Sequence, residues 1–285
     1  MNREKIFNFL DGFFSVYASL AHLERGIRIL MYHLISQRDE PREKILLTVS
    51  LSRFQEQLEI IRTSSYQVIS LSRAFSLLQK GEVNQPYLVL TFDDFFSDTV
   101  ENALPLLLKF KFPACFFVVT NYLDSPQKFP WLSHPERYPP SGSKTMVREL
   151  AELGFEIGSH TCSHPHLGRL TPEQVKTELV NSKQVLEDII GRAVDFLAYP
   201  FGAPNDVPSW VQKMVKESGY LLGLGTLTGI NRHHKNLYYL RRTGISKYDQ
   251  GDKFLRKLKG ANDWYLLWQK TRSFFESRGL SQKNF

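Results

Sequence analysis

The chain has 285 residues, of which 42% are hydrophobic, 13% aromatic and 23% charged, enough apolar material for one large core or two modest ones. These proportions exclude a disordered linker, a repeat array or a small disulfide scaffold, and two cysteines, Cys115 and Cys162, allow at most one cross-link. The 36 Lys and Arg against 29 Asp and Glu leave a formal +7 that favours anionic surroundings, and no run approaches the roughly 20 apolar residues that span a bilayer.

In chain order, Arg3 and Lys5 precede an apolar stretch from Ile6 to Leu23 that Asp11 interrupts. Ile6, Phe7, Leu10, Phe13, Phe14, Tyr17, Leu20 and Ala21 recur at helical spacing, which predicts an amphipathic helix over residues 1–25 packing on the domain. Docking of that helix on a membrane surface and a weak secretory signal are the alternatives. From Gly26 onward, short β-type runs alternate with helical patterns. The predicted strands are Ile27–Tyr32, Gln67–Ser70, Tyr87–Phe92, Ala114–Val119, Phe155–Gly158, Phe196–Tyr199, Tyr220–Gly225 and Tyr239–Ile245.

Between them, Ser52–Arg62 opens on a capping serine and puts Phe54, Leu58 and Ile61 on one face. Ser72 precedes a helix carrying Ala74, Phe75 and Leu78. Thr171-Pro172-Glu173 starts a helix with a cap followed by proline, and Gly191 stops it. Residues 121–143 lack periodicity and hold five prolines, Trp131, His134 and Tyr138, the profile of a substrate-shaping loop. Asp252 to Arg278 is helical in pattern, with Phe254, Leu255, Leu258, Trp264, Leu267, Trp268 and Phe274 as its apolar residues. Lys253, Arg256, Lys257 and Lys259 give it a basic face. Strand and helix alternation at this length predicts a parallel α/β domain, with a barrel as the natural closure.

Four segments carry chemistry. Leu88-Val-Leu-Thr-Phe-Asp-Asp94 is an apolar strand ending in two carboxylates, at the strand end where parallel α/β folds gather ligands. One carboxylate can bind a cation while the other stays free to accept a proton; a turn or helix cap is the bland alternative. Gly154-Phe-Glu-Ile-Gly-Ser-His160-Thr-Cys-Ser-His164-Pro165 ends another strand with two histidines on a curved loop, and two imidazoles with one carboxylate make a catalytic divalent-metal site. Phe196-Leu-Ala-Tyr-Pro-Phe-Gly202 breaks into a turn that can aim the Phe201 amide at a developing oxyanion. In Leu240-Arg-Arg242, one arginine can approach the carboxylates and keep an aspartate ionised.

Thr91-Phe-Asp-Asp94, His160-Thr-x-Ser-His164-Pro165 and Ala198-Tyr-Pro-Phe-Gly202, in this order, resemble the polysaccharide deacetylase family, the NodB-homology or carbohydrate esterase type. Ile29-Leu-Met-Tyr-His33 and Pro113-Ala-Cys-Phe-Phe-Val118 extend the resemblance to about Ile27–Ile245. The resemblance implies a distorted (β/α) barrel, set over residues 26–250, and the helical patterns outside it form an N-terminal extension over 1–25 and a C-terminal one over 251–285 that is expected to pack on the barrel. It also implies one divalent metal, zinc in most members with cobalt, nickel or manganese as alternatives, held by Asp94, His160 and His164, and Asp93 as general base. The Phe201 amide would hold the oxyanion, and Arg242, better than Arg241, matches the late-strand arginine of members with the Ala-Tyr-Pro-Phe-Gly form. The products would be acetate and a free amino sugar.

Three departures from the family pattern stand out. Phe95 replaces the glycine common after the aspartate pair and is expected to add bulk beside the metal, narrowing the cleft or changing its mouth. Ala198 stands where many members carry an arginine. The late motif whose histidine serves as acid is absent, which leaves His33, at the end of the first strand, as the best-placed candidate acid over His233 and His234. His166, past Pro165, is expected to support the site rather than ligate. Cys162 is not at a ligand position, and Cys115 is expected to be a small buried strand residue.

The expected activity is metal-dependent removal of an N-acetyl group from an amino sugar in a bacterial polysaccharide, glycolipid or glycan precursor. The alternatives are a deformylase or other amidase on a lipid-linked amino sugar, and a glycan-binding homologue that has lost turnover. The expected partner is the N-acetylated glycan or lipid-linked sugar, with peripheral membrane contact through the two terminal helices as a further expectation. No basic reading helix or RNA-binding motif accompanies the charge, so nucleic acid is not an expected partner. A cytoplasmic location, with or without membrane contact, is expected ahead of secretion.

Overall fold

The computed structural model describes residues 25–37, 47–132, 135, 138–233, 236–261, 263, 265–266 and 269. The expected N-terminal helix, His134, His234, and Trp264, Leu267, Trp268 and Phe274 of the tail lie outside the described residues. No helix among the described residues is long and apolar enough to cross a membrane.

Eight strands form one parallel sheet: β1 (Gly26–Tyr32), β4 (Gln67–Val68), β5 (Pro86–Phe92), β6 (Ala114–Val118), β7 (Glu156–Ser159), β8 (Phe196–Ala198), β9 (Leu222–Leu224) and β10 (Thr243–Gly244). Their order is β10-β1-β5-β6-β7-β8-β9, with β4 paired to the start of β5. The two ends of this path are joined by one stretch of chain. Leu240 exchanges backbone hydrogen bonds with Gly223 and Gly225 beside β9, and three residues later Thr243 pairs with Leu30 of β1. The sheet is thereby curled into the barrel expected from the sequence. The predicted strand Tyr239–Ile245 is reduced to Thr243–Gly244, because the chain changes neighbours between Leu240 and Thr243 and makes no continuous ladder with either. A small parallel pair, β2 (Leu34–Ser36) with β3 (Thr48–Ser50), lies beyond the end of β1.

Alternation along the strands separates two cores. Ile27, Ile29, Val89, Cys115, Phe117, Phe196, Ala198, Leu222 and Leu224 form an inner cluster, onto which α2 (Leu71–Lys80) packs Leu71, Ala74, Leu77 and Leu78. Gly158 belongs to this tight interior, since a Cβ there would lie 2.3 Å from the Phe117 ring. Leu30, Tyr32, Leu88, Leu90, Phe92, Phe116, Val118 and Leu197 point outward under the helices. Those helices are α1 (Leu51–Thr63), α3 (Ser97–Phe110), α4 (Lys144–Glu152), α5 (Pro172–Ile190), α6 (Ser209–Glu217) and α7 (Gly251–Leu258).

Phe54, Leu58 and Ile61 of α1 are buried together, as the helical spacing predicts. The caps of α1 and α2 sit two residues earlier than expected, at Ser50 and Ser70, whose hydroxyls accept from the amides of Arg53 and Arg73. Serine recurs at both places, and the one nearer the strand becomes the cap because it still has extended backbone. Helix α5 begins as predicted, with Thr171 and Gln174 forming a reciprocal capping box, Pro172 in the first turn and Gly191 ending it in the left-handed conformation.

Residues beyond the barrel are bound to it. Arg28, buried in β1, makes a two-pronged ion pair with Asp263 at 2.8 and 3.0 Å. Lys257 of α7 does not join the expected basic face. Its ammonium turns inward to Asp249 at 2.6 Å and to the Gly244 carbonyl at 2.9 Å.

Candidate metal-dependent active site

A cavity of about 810 Å³ opens at the carboxyl ends of the strands. Inward alternation along β5, from Val89 through Thr91, carries Asp93 into this cavity, and Asp93 N–H extends the β1 ladder by donating to the Tyr32 carbonyl at 2.9 Å. Likewise His160 follows β7, its N–H donating to the Val118 carbonyl at 2.8 Å. The backbone then turns sharply. Asp94, Phe95, Thr161, His164 and Phe201 all have left-handed φ values between 57° and 68°, a conformation that costs non-glycine residues about 1–3 kcal/mol each and gathers at functional sites.

Asp94, His160 and His164 are buried together, with one ligand atom from each lying within 4.8 Å of the others. Asp94 Oδ1 is 3.7 Å from His160 Nε2 and 3.5 Å from His164 Nε2, close to the separation of about 3.4 Å between ligands on one tetrahedral cation with bonds near 2.0–2.2 Å. Asp94 Oδ1 has no hydrogen-bond partner among the described residues. Burial, then the neighbouring Asp93 carboxylate, push the Asp94 carboxyl well above its ordinary range, while burial holds His160 below its usual value and His164 down to about 2. Neutral imidazoles facing an uncompensated buried carboxylate form a donor set that fits a divalent cation. The His160 ring is oriented from behind, its Nδ1 lying 2.7 Å from the Ala198 carbonyl.

Asp93 has the opposite electrostatics. Burial would raise its carboxyl, but the charges of Arg242 and His160, the Arg242 hydrogen bond and His33 outweigh it and hold Asp93 at about 2. The two adjacent carboxylates are thus distinguished by environment: one ionised against a guanidinium, the other awaiting a cation. It is Arg242 that reaches Asp93, at 2.7 Å. Arg241 turns toward Gly229 instead.

His33 lines the cavity, and burial, partly opposed by Asp93, lowers it to about 4. His233 is exposed and does not line the cavity. His166 pairs with Asp206 at 2.7 Å and stacks on the Phe201 ring at 3.6 Å, a supporting position as expected. Phe201 lies at the cavity wall, in a turn held by Thr226, which donates its N–H to the Gly202 carbonyl and its hydroxyl to the Phe201 carbonyl. Gly202 is required there, since its φ is 65° and a Cβ would lie 2.9 Å from Thr226. Both cysteines are free and buried, and neither belongs to the metal group.

Phe95 corrects the expectation of a narrowed cleft. Its ring is fully buried in the outer core, edge-on to Phe116, and it does not line the cavity. Its left-handed φ of 57° explains why glycine suits this place, and Gly142 leaves room for the ring, since a Cβ there would lie 2.6 Å from it. The neighbouring Phe96 faces the cavity.

The long loop does shape the site. Trp131, Leu132 and Tyr138 pack with Leu34, Phe96 and Phe129 into an aromatic wall, and Trp131 stacks on the His164 ring at 4.0 Å with 12° between planes. Residues not singled out from the sequence complete the far side. Tyr265 and Gln269 line the cavity, and Gln269 accepts from Thr228 N–H and donates to the Thr226 carbonyl. Nothing in their spacing marks these polar residues as part of a site.

A curled parallel barrel with these groups at its strand ends defines a hydrolase of amide C–N bonds in carbohydrates. The sequence profile described as polysaccharide deacetylase matches residues 80–221, and the chain belongs to that family. YxkH of Bacillus subtilis, named for the same family, is 26% identical over 227 residues, covering 79% of this chain and 74% of that protein. The poly-β-1,6-N-acetyl-D-glucosamine N-deacetylase of Staphylococcus aureus is 24% identical over 208 residues, 70% of this chain and 68% of that protein. The structure of Streptococcus pyogenes deacetylase PplD in complex with acetate superimposes with a TM-score of 0.71 at 25% identity, covering 82% of this chain and 98% of that one.

Proposed function

We propose that the protein is a divalent-metal-dependent deacetylase that hydrolyses the N-acetyl group of an amino sugar in a bacterial glycan, whether a polysaccharide, a glycolipid or a glycan precursor. The observation that carries this reading is the juxtaposition, in one cavity, of the Asp94–His160–His164 group with an Asp93 held ionised by Arg242. A divalent cation held there, zinc as the family resemblance implies, would supply Lewis acidity toward the amide carbonyl and toward water. Asp94 Oδ1 and the two Nε2 atoms would hold it.

Asp93 accepts a proton from the attacking water, and Arg242 keeps its carboxylate ready to do so. The Phe201 N–H stabilises the oxyanion that forms on the carbonyl. His33, neutral in the resting site, relays the proton from Asp93 toward the leaving nitrogen, which departs as the amine. The aromatic wall of Phe96, Trp131 and Tyr138 suits the apolar faces of a pyranose ring. The relative's name points to poly-β-1,6-N-acetyl-D-glucosamine as the first polymer to assay.

The test is amine release from N-acetylglucosamine oligomers, that polymer and a lipid-linked N-acetylated sugar, with zinc present and Asp93→Asn as control. Release by the wild type and not by the variant is expected. Equal release by both would overturn the assignment.

A further inference from the structure

The candidate metal-ligating histidines flank a short loop, and a single carboxylate outside the cavity grips it. Glu178, on α5, accepts from the Cys162 N–H at 2.8 Å and the Ser163 N–H at 3.0 Å through Oε2, and from the Ser163 hydroxyl at 2.6 Å through Oε1. The loop needs such a grip because Thr161 and His164 both hold left-handed backbone, at φ 67° and 60°. Its carbonyls are held from elsewhere, Thr161 by the Thr120 N–H and Cys162 by the Asn121 N–H. Glu178 alone takes both amides of the Cys162–Ser163 pair.

The two histidines also differ in how their rings are fixed. His160 Nδ1 lies against the Ala198 carbonyl, the kind of anchor that orients most metal-bound imidazoles. His164 Nδ1 has no hydrogen-bond partner among the described residues. The His164 ring is therefore placed by its backbone and by its ring neighbours, Trp131 stacked on it and His160 and Phe201 edge-on. The His164 N–H donates to Thr161 Oγ1 at 3.1 Å, and Glu178 holds the two amides immediately before it.

We propose that Glu178 is a positioning residue for the metal site: by holding the Cys162 and Ser163 amides, it sets His164 Nε2 against His160 Nε2 and Asp94 and so raises metal affinity. This rests on the metal reading above. In the test, zinc-loaded full-length protein is challenged with a chromophoric chelator, the cobalt-substituted form is examined by visible absorption, and thermal midpoints are recorded. Glu178→Ala is expected to release zinc to the chelator about 10-fold more readily or beyond, with an altered cobalt spectrum. Glu178→Gln, which keeps one acceptor oxygen, should fall between it and wild type. Asp188→Ala, at the exposed end of the same helix, should match wild type.

Wild-type protein that holds no zinc would sink the metal reading itself. Wild-type binding with Glu178→Ala and Glu178→Gln within about two-fold of it and an unchanged cobalt spectrum would overturn the role of Glu178 alone. Should Glu178→Ala fail to fold, Ser163→Ala removes only the hydroxyl bond. Weakened zinc retention in both Ser163→Ala and Glu178→Gln then supports the proposal, and wild-type retention in both overturns it.

Discussion

Arg242 Nη1 donates to Asp93 Oδ1 at 2.7 Å, joining residues 149 positions apart, neither more than 2% exposed. Arg242 Nε is spent on the Gly225 carbonyl, whereas Nη2 has no partner. The pair keeps a buried carboxylate ionised that burial alone would protonate. Arg242→Gln should therefore lower kcat by about 10²-fold and move the acid limb of the pH–rate profile upward, because the opposing charge on Asp93 is gone. Arg242→Lys, which keeps charge but loses the planar fork, should lie between. An acid limb unmoved in Arg242→Gln would separate Asp93 from the rate-controlling ionisation.

Stability in acid follows from the same site. His33 is held at about 4 and His164 at about 2 against an ordinary 6.5, so between those values the unfolded chain binds protons that the folded chain refuses. In metal-free protein the contribution of His33 should thus be fully present above pH 6.5 and be lost as pH falls toward 4, worth up to about 3 kcal/mol. The raised Asp94 carboxyl works in the opposite direction, its contribution present at low pH and lost as pH rises. Asp93 acts in a lower window, its contribution present above 3.8 and lost as pH falls to about 2. Urea titrations of wild type and His33→Gln across the acid range check this, and the variant should show the shallower loss.

Trp131 covers one face of His164 and forms part of the aromatic wall. Trp131→Ala should raise KM about 3- to 10-fold, the worth of a lost aromatic contact, with Trp131→Phe losing less. Steady-state kinetics on the best glycan substrate gives the split, and a pure kcat effect would place Trp131 in metal geometry rather than substrate binding.

Phe95 is a core residue that follows Asp93 and Asp94 in sequence. Phe95→Ala should cost about 3–5 kcal/mol of stability while leaving kcat/KM near wild type at low temperature. A large rise in kcat/KM would restore the narrowed-cleft view.

Removing metal should abolish turnover and lower the thermal midpoint, since ligand binding to the folded state alone stabilises it. Prolonged dialysis against chelator followed by zinc, cobalt, nickel and manganese add-back would show both effects. Activity surviving complete removal would contradict the proposed chemistry.

The strand ends and their chemical groups were legible because local pattern writes them. Apolar runs closed by Asp93-Asp94, by His160 and by the Tyr199-Pro-Phe-Gly turn place polar groups where a parallel strand must stop, and the cap and stop of α5 are contiguous signals. The preference for Arg242 over Arg241 rests on the family resemblance, since the residues by themselves leave both open, and it is Arg242 that lies 2.7 Å from Asp93. What the pattern could not carry was direction in space. Phe95 adjoins the site in sequence yet points to the core, because a left-handed φ turns its side chain to the other side of the sheet.

The alternation of strand and helix thus points to a parallel barrel, and motif order to the class of chemistry and to the strand-end residues proposed for it, since each motif is read from neighbours a few positions apart. The inward turn of Lys257, the seating of Trp131 on His164, and the Tyr265–Gln269 wall depend on contacts between remote segments. Those contacts arise only when the barrel closes, because burial and the geometry of closure assign each side chain its partner, and no run of neighbouring residues encodes them.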